Sequence, residues 1–587
     1  MNMQQCVKGV EFTFSMQEGM NCSLENVREK NGICLYDFSL CWTKENAAAD
    51  DAFVFQWKEP MRGILYKWDS RCLLHKDIFP HWDDCFPSMI SQNAPVSCYF
   101  DGNDQNSYCW ALSECQKLIT IKNGIDDKYG DLTPQFTLKV QQFTNQYQTK
   151  LTLWIDRRKV PMRTAVSEVA GWWETECGLK PLSVPDIARV PLYSFWYSYH
   201  QDVFAHDVEE KCQWAKKLGF DICIVDDGWQ TDDSGGGYGY CGDWQPAPTK
   251  LPDMAAHVKR VHDIGMKYVL WYSVPFVGHY SMHYAHFQGM ILRDIPELKA
   301  AVLDPRYREV REFLINTYKK ALLEWDLDGF KLDFVDAWCD NAQNAPYNTG
   351  MDIPALQDAV EECMTQIVQT LSEIKSDILL EFRQEYIGPH MKRFGNMFRV
   401  GDCAANYLKN RTVILDYRMF MGDQAVHSDM LIMAPEETPQ TNALQIISCM
   451  FGVLQFSGRM EDMTPEMTEM AVFWIRFLKE HIQLLQSRSL EAYEAQLLYT
   501  WAKTRENGEC AVGVYAIDKV VKPDAVDTIY IANGCAGERV LVELEGTYQV
   551  QILDCFGHKK DAFEKKFADI TVLPVPSGGM VVLKKSK

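Results

Sequence analysis

From residue 185 to residue 485 the chain alternates short apolar runs with stretches of helical periodicity, and this alternation limits its fold more than any other feature. Apolar strands separated by amphipathic helices are the pattern of βα units, whose strands pair in parallel and whose helices cover the outside. Strands are expected at 192–196, 221–225, 268–273, 329–334, 378–382, 397–401, 425–431 and 454–457, and helices at 308–324, 353–375, 441–451 and 464–481 among others. Eight strands in about 300 residues fit a (β/α)8 barrel with inserted loops. The seventh strand has the weakest pattern.

The flanks read differently. Residues 1–180 carry short alternating runs such as Val10-Glu11-Phe12-Thr13-Phe14 and Phe53-Val54-Phe55-Gln56-Trp57, with turn residues between them. That predicts an N-terminal β-sandwich. Residues 490–587 return to alternation, as in Tyr548-Gln549-Val550-Gln551-Ile552-Leu553, and predict a small C-terminal β-domain. The fold class is therefore multidomain α/β: a (β/α)8 barrel at 185–485 flanked by two β-domains, in keeping with a 587-residue chain too long for one core.

The net charge of −21 argues against nucleic acid or an anionic membrane as partner. No apolar run reaches the roughly 18 residues of a membrane span. Residues 1–15 lack the basic and apolar regions of a secretory signal, and the 20 cysteines form no CxxC pair. Reduced thiols in a cytoplasmic protein are the expectation. A homo-oligomer stays open.

In a barrel the strands' C-terminal ends build the site. The first ends in Trp196, the second in Asp226-Asp227-Gly228-Trp229, and the third in Leu270-Trp271. The fourth carries Lys331 and Asp333, the fifth Arg383-Gln384, and the sixth Arg399-Val400-Gly401-Asp402. Lys331 and Asp333 are two apart, so they share one face of their strand, where a buried ion pair is the plain reading. Carboxylates, cations and tryptophans at six successive strand ends converge on one mouth.

This order resembles the retaining α-glycosidases of glycoside hydrolase family 36, the bacterial α-galactosidases and their relatives, in the clan that also holds families 27 and 31. The resemblance runs from about Leu192 to His481. It is most specific at Asp226-Asp227-Gly228-Trp229, at Gly242-Asp243-Trp244, and from Leu303-Asp304-Pro305 into Asp328-Gly329-Phe330-Lys331. It implies Asp333 as nucleophile and Asp402 as acid/base, two carboxyl groups about 5–5.5 Å apart as retention requires. Lys331 would hold Asp333 ionised. Asp226 and Asp227 would accept sugar hydroxyls, and Trp196, Trp229 and Trp271 would wall the pocket. Asp402 needs a raised pKa to act as acid. Arg383 and Arg399 oppose that, so one of them is expected to face substrate instead.

The resemblance implies an exo-acting retaining α-glycosidase that takes an oligosaccharide or other glycoside, α-galactosidase first, and needs no cofactor or metal. α-N-Acetylgalactosaminidase, another α-glycosidase and a transglycosylase are the neighbouring alternatives. Arg383 and Gln384 stand where those α-galactosidases have a Cys- and Gly-rich stretch, and are expected to decide the sugar. A Schiff-base aldolase using Lys331 and a non-catalytic sugar-binding protein are the readings from other classes. His279, His283 and His286 have helical spacing but no zincin glutamate, which points to a loop or subsite. Asn406 is expected to order the acid/base loop, and His427 to sit in the core or at a subsite. Gly235-Gly236-Gly237-Tyr238-Gly239 lacks the Lys-Ser/Thr of a phosphate loop and reads as a substrate loop.

Overall fold

A computed structural model describes residues 2–143 and 146–586. Its centre is a parallel barrel of β1 (Leu192–Ser194), β2 (Ile222–Val225), β3 (Lys267–Ser273), β4 (Gly329–Asp333), β5 (Leu379–Arg383), β6 (Met397–Arg399), β7 (Ala425–His427) and β8 (Gln455–Phe456). Neighbours in the chain are neighbours in the sheet, and β8 pairs back onto β1. Two isolated parallel bridges, His427 to Val453 and Leu431 to Phe456, join the remaining seam between the β7 and β8 segments.

The outer ring holds α1 (Ala205–Leu218), α2 (Met254–Ile264), α3 (Arg308–Trp325), α4 (Leu356–Ile374), α5 (Tyr407–Phe420), α6 (Pro439–Ser448) and α7 (Pro465–Glu480). Local sequence sets their ends. α1 and α2 stop at Gly219 and Gly265, both left-handed, a conformation glycine adopts without a side-chain clash. α6 and α7 start with a threonine cap followed by proline, whose missing N–H is not needed at that position. One βα unit departs from the pattern. Between β5 and β6 there is only the 3-10 turn Met391–Arg393.

Side chains of period two carry the barrel interior from apolar to charged. Ile222, Ile224, Val269, Leu379, Met397 and Ala425 form an aliphatic cluster at the N-terminal end. Two residues further along the same faces stand Asp226, Trp271, Lys331 and Glu381, with Met397 of β6 level with Glu381; the next tier carries Asp333 and Arg383, the latter level with Arg399 and through it with His427. The closed end is therefore hydrophobic packing and the open end is chemistry.

Before the barrel lie two six-stranded antiparallel sheets and a small three-stranded one. Phe14, Phe38 and Phe55 meet edge to face in the core between the two larger sheets. After the barrel come a seven-stranded and a three-stranded sheet with their own core. A further apolar cluster runs continuously from the N-terminal sheets through the barrel to the C-terminal part. Within it Trp68 meets Phe420 of α5 edge-on, with ring centres 5.7 Å apart. Every cysteine is a free thiol. Among the described residues no helix is long and apolar enough to cross a membrane.

The three parts also share a buried carboxylate. Asp416 of α5 accepts hydrogen bonds from Lys76 Nζ (2.8 Å) of the N-terminal part and from the Tyr499 hydroxyl (2.6 Å) of the C-terminal part. None of the three is more than slightly exposed. Removing one partner of a buried pair strands the other charge, at a cost of about 3–5 kcal/mol. Asp416→Ala is expected to lower the calorimetric melting temperature sharply. The double replacement Lys76→Met with Asp416→Leu should recover most of that loss; no recovery would mean that charge burial is not the cause.

Candidate active site

Asp333 ends β4 and is 7% exposed. Its Oδ2 accepts the Trp271 indole N–H at 3.0 Å. Its Oδ1 accepts the Phe334 backbone N–H and the Arg383 Nε–H, both at 2.9 Å, and the Tyr386 hydroxyl. Phe334 has φ +62°, a left-handed conformation that is uncommon outside glycine, and in it the residue turns its N–H back onto the carboxylate. Burial works to raise the Asp333 carboxyl, but Arg383, then Lys331, Tyr386 and Trp271 outweigh it and hold the group well below the usual carboxylate range.

Lys331 is not bonded to Asp333. Its Nζ lies 2.5 Å from Asp226 Oδ2, on the neighbouring part of the mouth, and both side chains are nearly inaccessible. The two-residue spacing puts Lys331 and Asp333 on one face, yet Lys331 acts on Asp333 only through its field. Asp226 Oδ1 accepts the Asp227 backbone N–H at 2.9 Å. Asp227 is held on both oxygens, by Gln201 and Gln230 side-chain amides at 2.6 Å each. Burial pushes its carboxyl up to about 6.

Asp402 lies at the rim after β6, with its side chain 59% exposed. The expected raised pKa is not what surrounds it. Arg399 Nη2 donates to Asp402 Oδ1 at 2.9 Å. Against the desolvation that would raise it, Arg399 and then Arg383 hold the carboxyl below its ordinary value. Arg399 also donates to Asp429, which is fully buried and accepts the Tyr197 hydroxyl (3.0 Å) and the Cys403 N–H (2.6 Å) as well. Both arginines are therefore bound to carboxylates, and neither is turned toward open space as one of them was expected to be. Gln384 is engaged too, its amide donating to the Arg71 carbonyl at 2.6 Å.

The tryptophans divide. Trp196 is half-buried, with its ring 4.9 Å from that of His200. Trp229 is fully buried; its indole N–H donates to the Trp271 carbonyl at 2.8 Å and its ring packs on Trp244 and Tyr272, so it is core and not a pocket wall. Trp271 is 1% exposed and touches the site through its N–H on Asp333. His427 is a core histidine, buried against the Ala188 carbonyl at 2.9 Å, and burial depresses its imidazole to about 3. Asn406 caps α5 through the Lys409 N–H. His279 pairs with Asp294 and His286 with Glu309, while His283 packs on Phe313, so the three do not converge. Among the described residues the cluster with metal-ligand spacing is His206, Asp207 and Glu210 at the start of α1, and it shares no residue with the group around Asp333.

Three participants carried no clear signal in the sequence. Tyr386 follows β5 in an irregular loop without periodicity. Asp429 lies just past β7, the strand with the weakest pattern. Glu381 stands among the strand-end carboxylates in the sequence, but with no role assigned to it. It is buried level with Lys331, accepts the Gln455 amide at 2.5 Å and has Arg399 Nε 3.9 Å away; burial, against Lys331 and Arg399, raises its carboxyl.

Residues 188–381 match the family model described as Melibiase. Over this stretch the chain is similar to α-galactosidases, and its fold is that of solved family 36 enzymes. An α-galactosidase of Lactobacillus acidophilus is 26% identical over 181 residues, 29% of this chain and 23% of that protein. A bifunctional α-galactosidase/sucrose kinase of Mediterraneibacter gnavus is 27% identical over 154 residues, 25% of this chain and 16% of that one. The aligned stretch thus spans less than a quarter of these curated relatives. The solved α-galactosidase of Lactobacillus brevis has a TM-score of 0.65 at 13% identity, covering 100% of this chain and 83% of its own. The Geobacillus stearothermophilus family 36 enzyme in complex with stachyose also scores 0.65, at 12% identity, over 98% of this chain and 82% of its own. At these identities the structural likeness establishes the fold: barrel, N-terminal sheets and C-terminal sheet domain. The matched stretch of this family 36-like chain contains Asp226, Lys331 and Asp333, and ends at Glu381, before Arg383, Arg399 and Asp402.

Arg383→Met tests the electrostatics around Asp333. A carboxyl with a depressed folded-state pKa contributes stability that is present above its unfolded value and lost as pH falls through the folded one. The variant should therefore be destabilised most above about pH 5, by ~3–5 kcal/mol for a broken buried pair, with the gap to wild type narrowing below about pH 4 and closing only as pH falls through the depressed folded-state value. A gap in melting temperature that does not change with pH would overturn this account of the Arg383–Asp333 pair.

Proposed function

We propose that this protein is an exo-acting, retaining α-glycosidase whose best substrates are terminal α-galactosides. The observation that carries the reading is Asp333: a buried carboxylate at the end of β4, kept ionised by converging donors, in a barrel whose sequence matches the Melibiase model. A nucleophilic carboxylate must be anionic at working pH, and this one is held so against its burial. The galactoside preference is taken from the α-galactosidases that the chain resembles.

In the proposed mechanism an Asp333 oxygen attacks the anomeric carbon while Asp402 gives its proton to the departing glycosidic oxygen. The C–O bond to the leaving group breaks and an ester to Asp333 forms. Water then attacks the same carbon, Asp402 takes its proton, and the ester bond to Asp333 breaks. Two displacements return the sugar with its original anomeric configuration. Lys331 and Asp226 brace each other at the pocket floor, where the ammonium supports Asp333 electrostatically. That pairing also weakens a Schiff-base reading, which needs an amine free to attack a carbonyl.

Asp402 meets its role with a cost. It must be protonated for the first step, and Arg399 favours its anion. Activity in kcat/KM, which reports the free enzyme, should therefore fall as pH rises through a depressed Asp402 pKa. An optimum below about pH 5 is expected for aryl α-galactosides; an alkaline optimum would remove Asp402 as the acid.

Replacing the carboxylates tests the assignment directly. Asp333→Asn should lower kcat at least ~10⁴-fold, as loss of a nucleophile does. Asp402→Asn should lower it by ~10²–10⁴-fold, and less for aryl substrates with good leaving groups. Proton NMR of the first product should read the α-anomer. Wild-type activity in Asp333→Asn, or a β-anomer first, would sink the retaining mechanism.

A further inference from the structure

The glycine-rich loop between β2 and α2 carries one aromatic side chain over the nucleophile. Tyr238 stacks on Trp271, with ring centres 6.0 Å apart and planes at 26°. It meets Phe334 edge-on at 4.9 Å and tilts against Phe276 at 5.7 Å. Trp271 and Phe276 are 1% and 2% exposed, whereas Tyr238 is only partly buried. Tyr238 therefore covers Trp271. Of the four rings, Tyr238 and Phe334 keep some exposure, and Tyr238 is the one that shields Trp271.

The backbone fixes the ring there. Tyr238 N–H donates to the Leu298 carbonyl at 3.2 Å, and the Gly239 carbonyl accepts from Tyr280 N–H at 2.8 Å. Gly239 packs directly on Gly278, in the strand Phe276–Gly278: a Cβ at position 278 would stand 2.1 Å from the Gly239 oxygen. Any side chain at 278 must push the loop away. Burial, then the charges of Asp333 and Asp227, push the phenol of Tyr238 well above its ordinary value, so it stays neutral beside the carboxylates.

We propose that Tyr238 is the wall on which the apolar face of the substrate's terminal sugar ring rests, the place that sequence reasoning gave to Trp271. A neutral aromatic ring suits the C–H face of a hexose, and its position over Phe334, next to Asp333, orients that ring for attack. The wall acts on binding and positioning; Tyr238 takes no bond-making part. This inference rests on the α-glycosidase reading.

The test compares wild type with Tyr238→Phe, Tyr238→Ala and Gly278→Ala on an aryl α-galactoside, with melting temperatures measured alongside. Tyr238→Ala should raise KM about tenfold, the equivalent of one aromatic contact, with kcat changed less than about threefold. Gly278→Ala should reproduce that rise, and Tyr238→Phe should stay within about twofold of wild type because it keeps the ring. A wild-type KM in Tyr238→Ala, an equal loss in the Phe and Ala variants, or a loss confined to kcat would overturn the proposal. If wild type cleaves no α-glycoside, galactose binding followed by tryptophan fluorescence separates the two readings. Weaker binding in Tyr238→Ala alone would retain the wall while the glycosidase reading falls. Unchanged affinity overturns the wall, and no binding in wild type overturns both.

Discussion

Asp333 is a negative charge held inside a barrel, and the parts around it are arranged so that it stays charged. A lone carboxylate at that depth would protonate. Arg383 of β5 supplies a charged hydrogen bond, Trp271 of β3 a neutral one, and Tyr386 of the following loop a third. Lys331 adds its field from two residues back while its own charge is neutralised by Asp226. Three adjacent strands and one loop must keep their register for this to hold. Sheet register here is therefore an electrostatic requirement as well as a packing one.

The same reasoning extends across the mouth. Arg399 joins Asp402 at the rim to Asp429 in the interior, with Glu381 close behind. A rim carboxylate tied to a buried cation has a fixed direction but a low proton affinity. Both arginines thus favour carboxylate anions: Arg383 bonds Asp333 and, after Arg399, also holds Asp402 below its ordinary value.

Much of the barrel was legible because strand alternation is written in single residues. Ile222, Ile224 and Asp226 share a face, as do Gly329, Lys331 and Asp333, and the pattern alone says which side chains end at the mouth. Contacts between strands were less legible. Same-face neighbours on one strand stand about 6–7 Å apart, so Lys331 could equally reach sideways, and it reached Asp226. The environment of Asp402 depended on where the Arg399 side chain turned, which no spacing encodes. Trp229 follows β2 and Trp271 lies near the end of β3, yet one entered the core and the other was covered by Tyr238. Tyr386 and Asp429 lay in stretches without periodicity, where a sequence carries little directional information. The match to the Melibiase model ends at Glu381, where this chain begins to use Arg383 and Gln384.

The gap after β5 has a consequence for how such a chain can be rearranged. Where other units place a helix, this one leaves the loop carrying Gln384, Glu385 and Tyr386 against the N-terminal sheets. Gln384 bonds the Arg71 carbonyl, Gln92 bonds the Glu385 carboxylate at 2.8 Å, and the Asn93 N–H bonds the Glu385 carbonyl at 3.1 Å. The segment that delivers Arg383 and Tyr386 to Asp333 is thus shaped by a neighbour folded from the first part of the chain. A recombination event that exchanged that neighbour would alter the chemistry of the barrel while leaving every barrel residue in place. The N-terminal sheets are in this sense part of the scaffold that holds Arg383 and Tyr386 against Asp333.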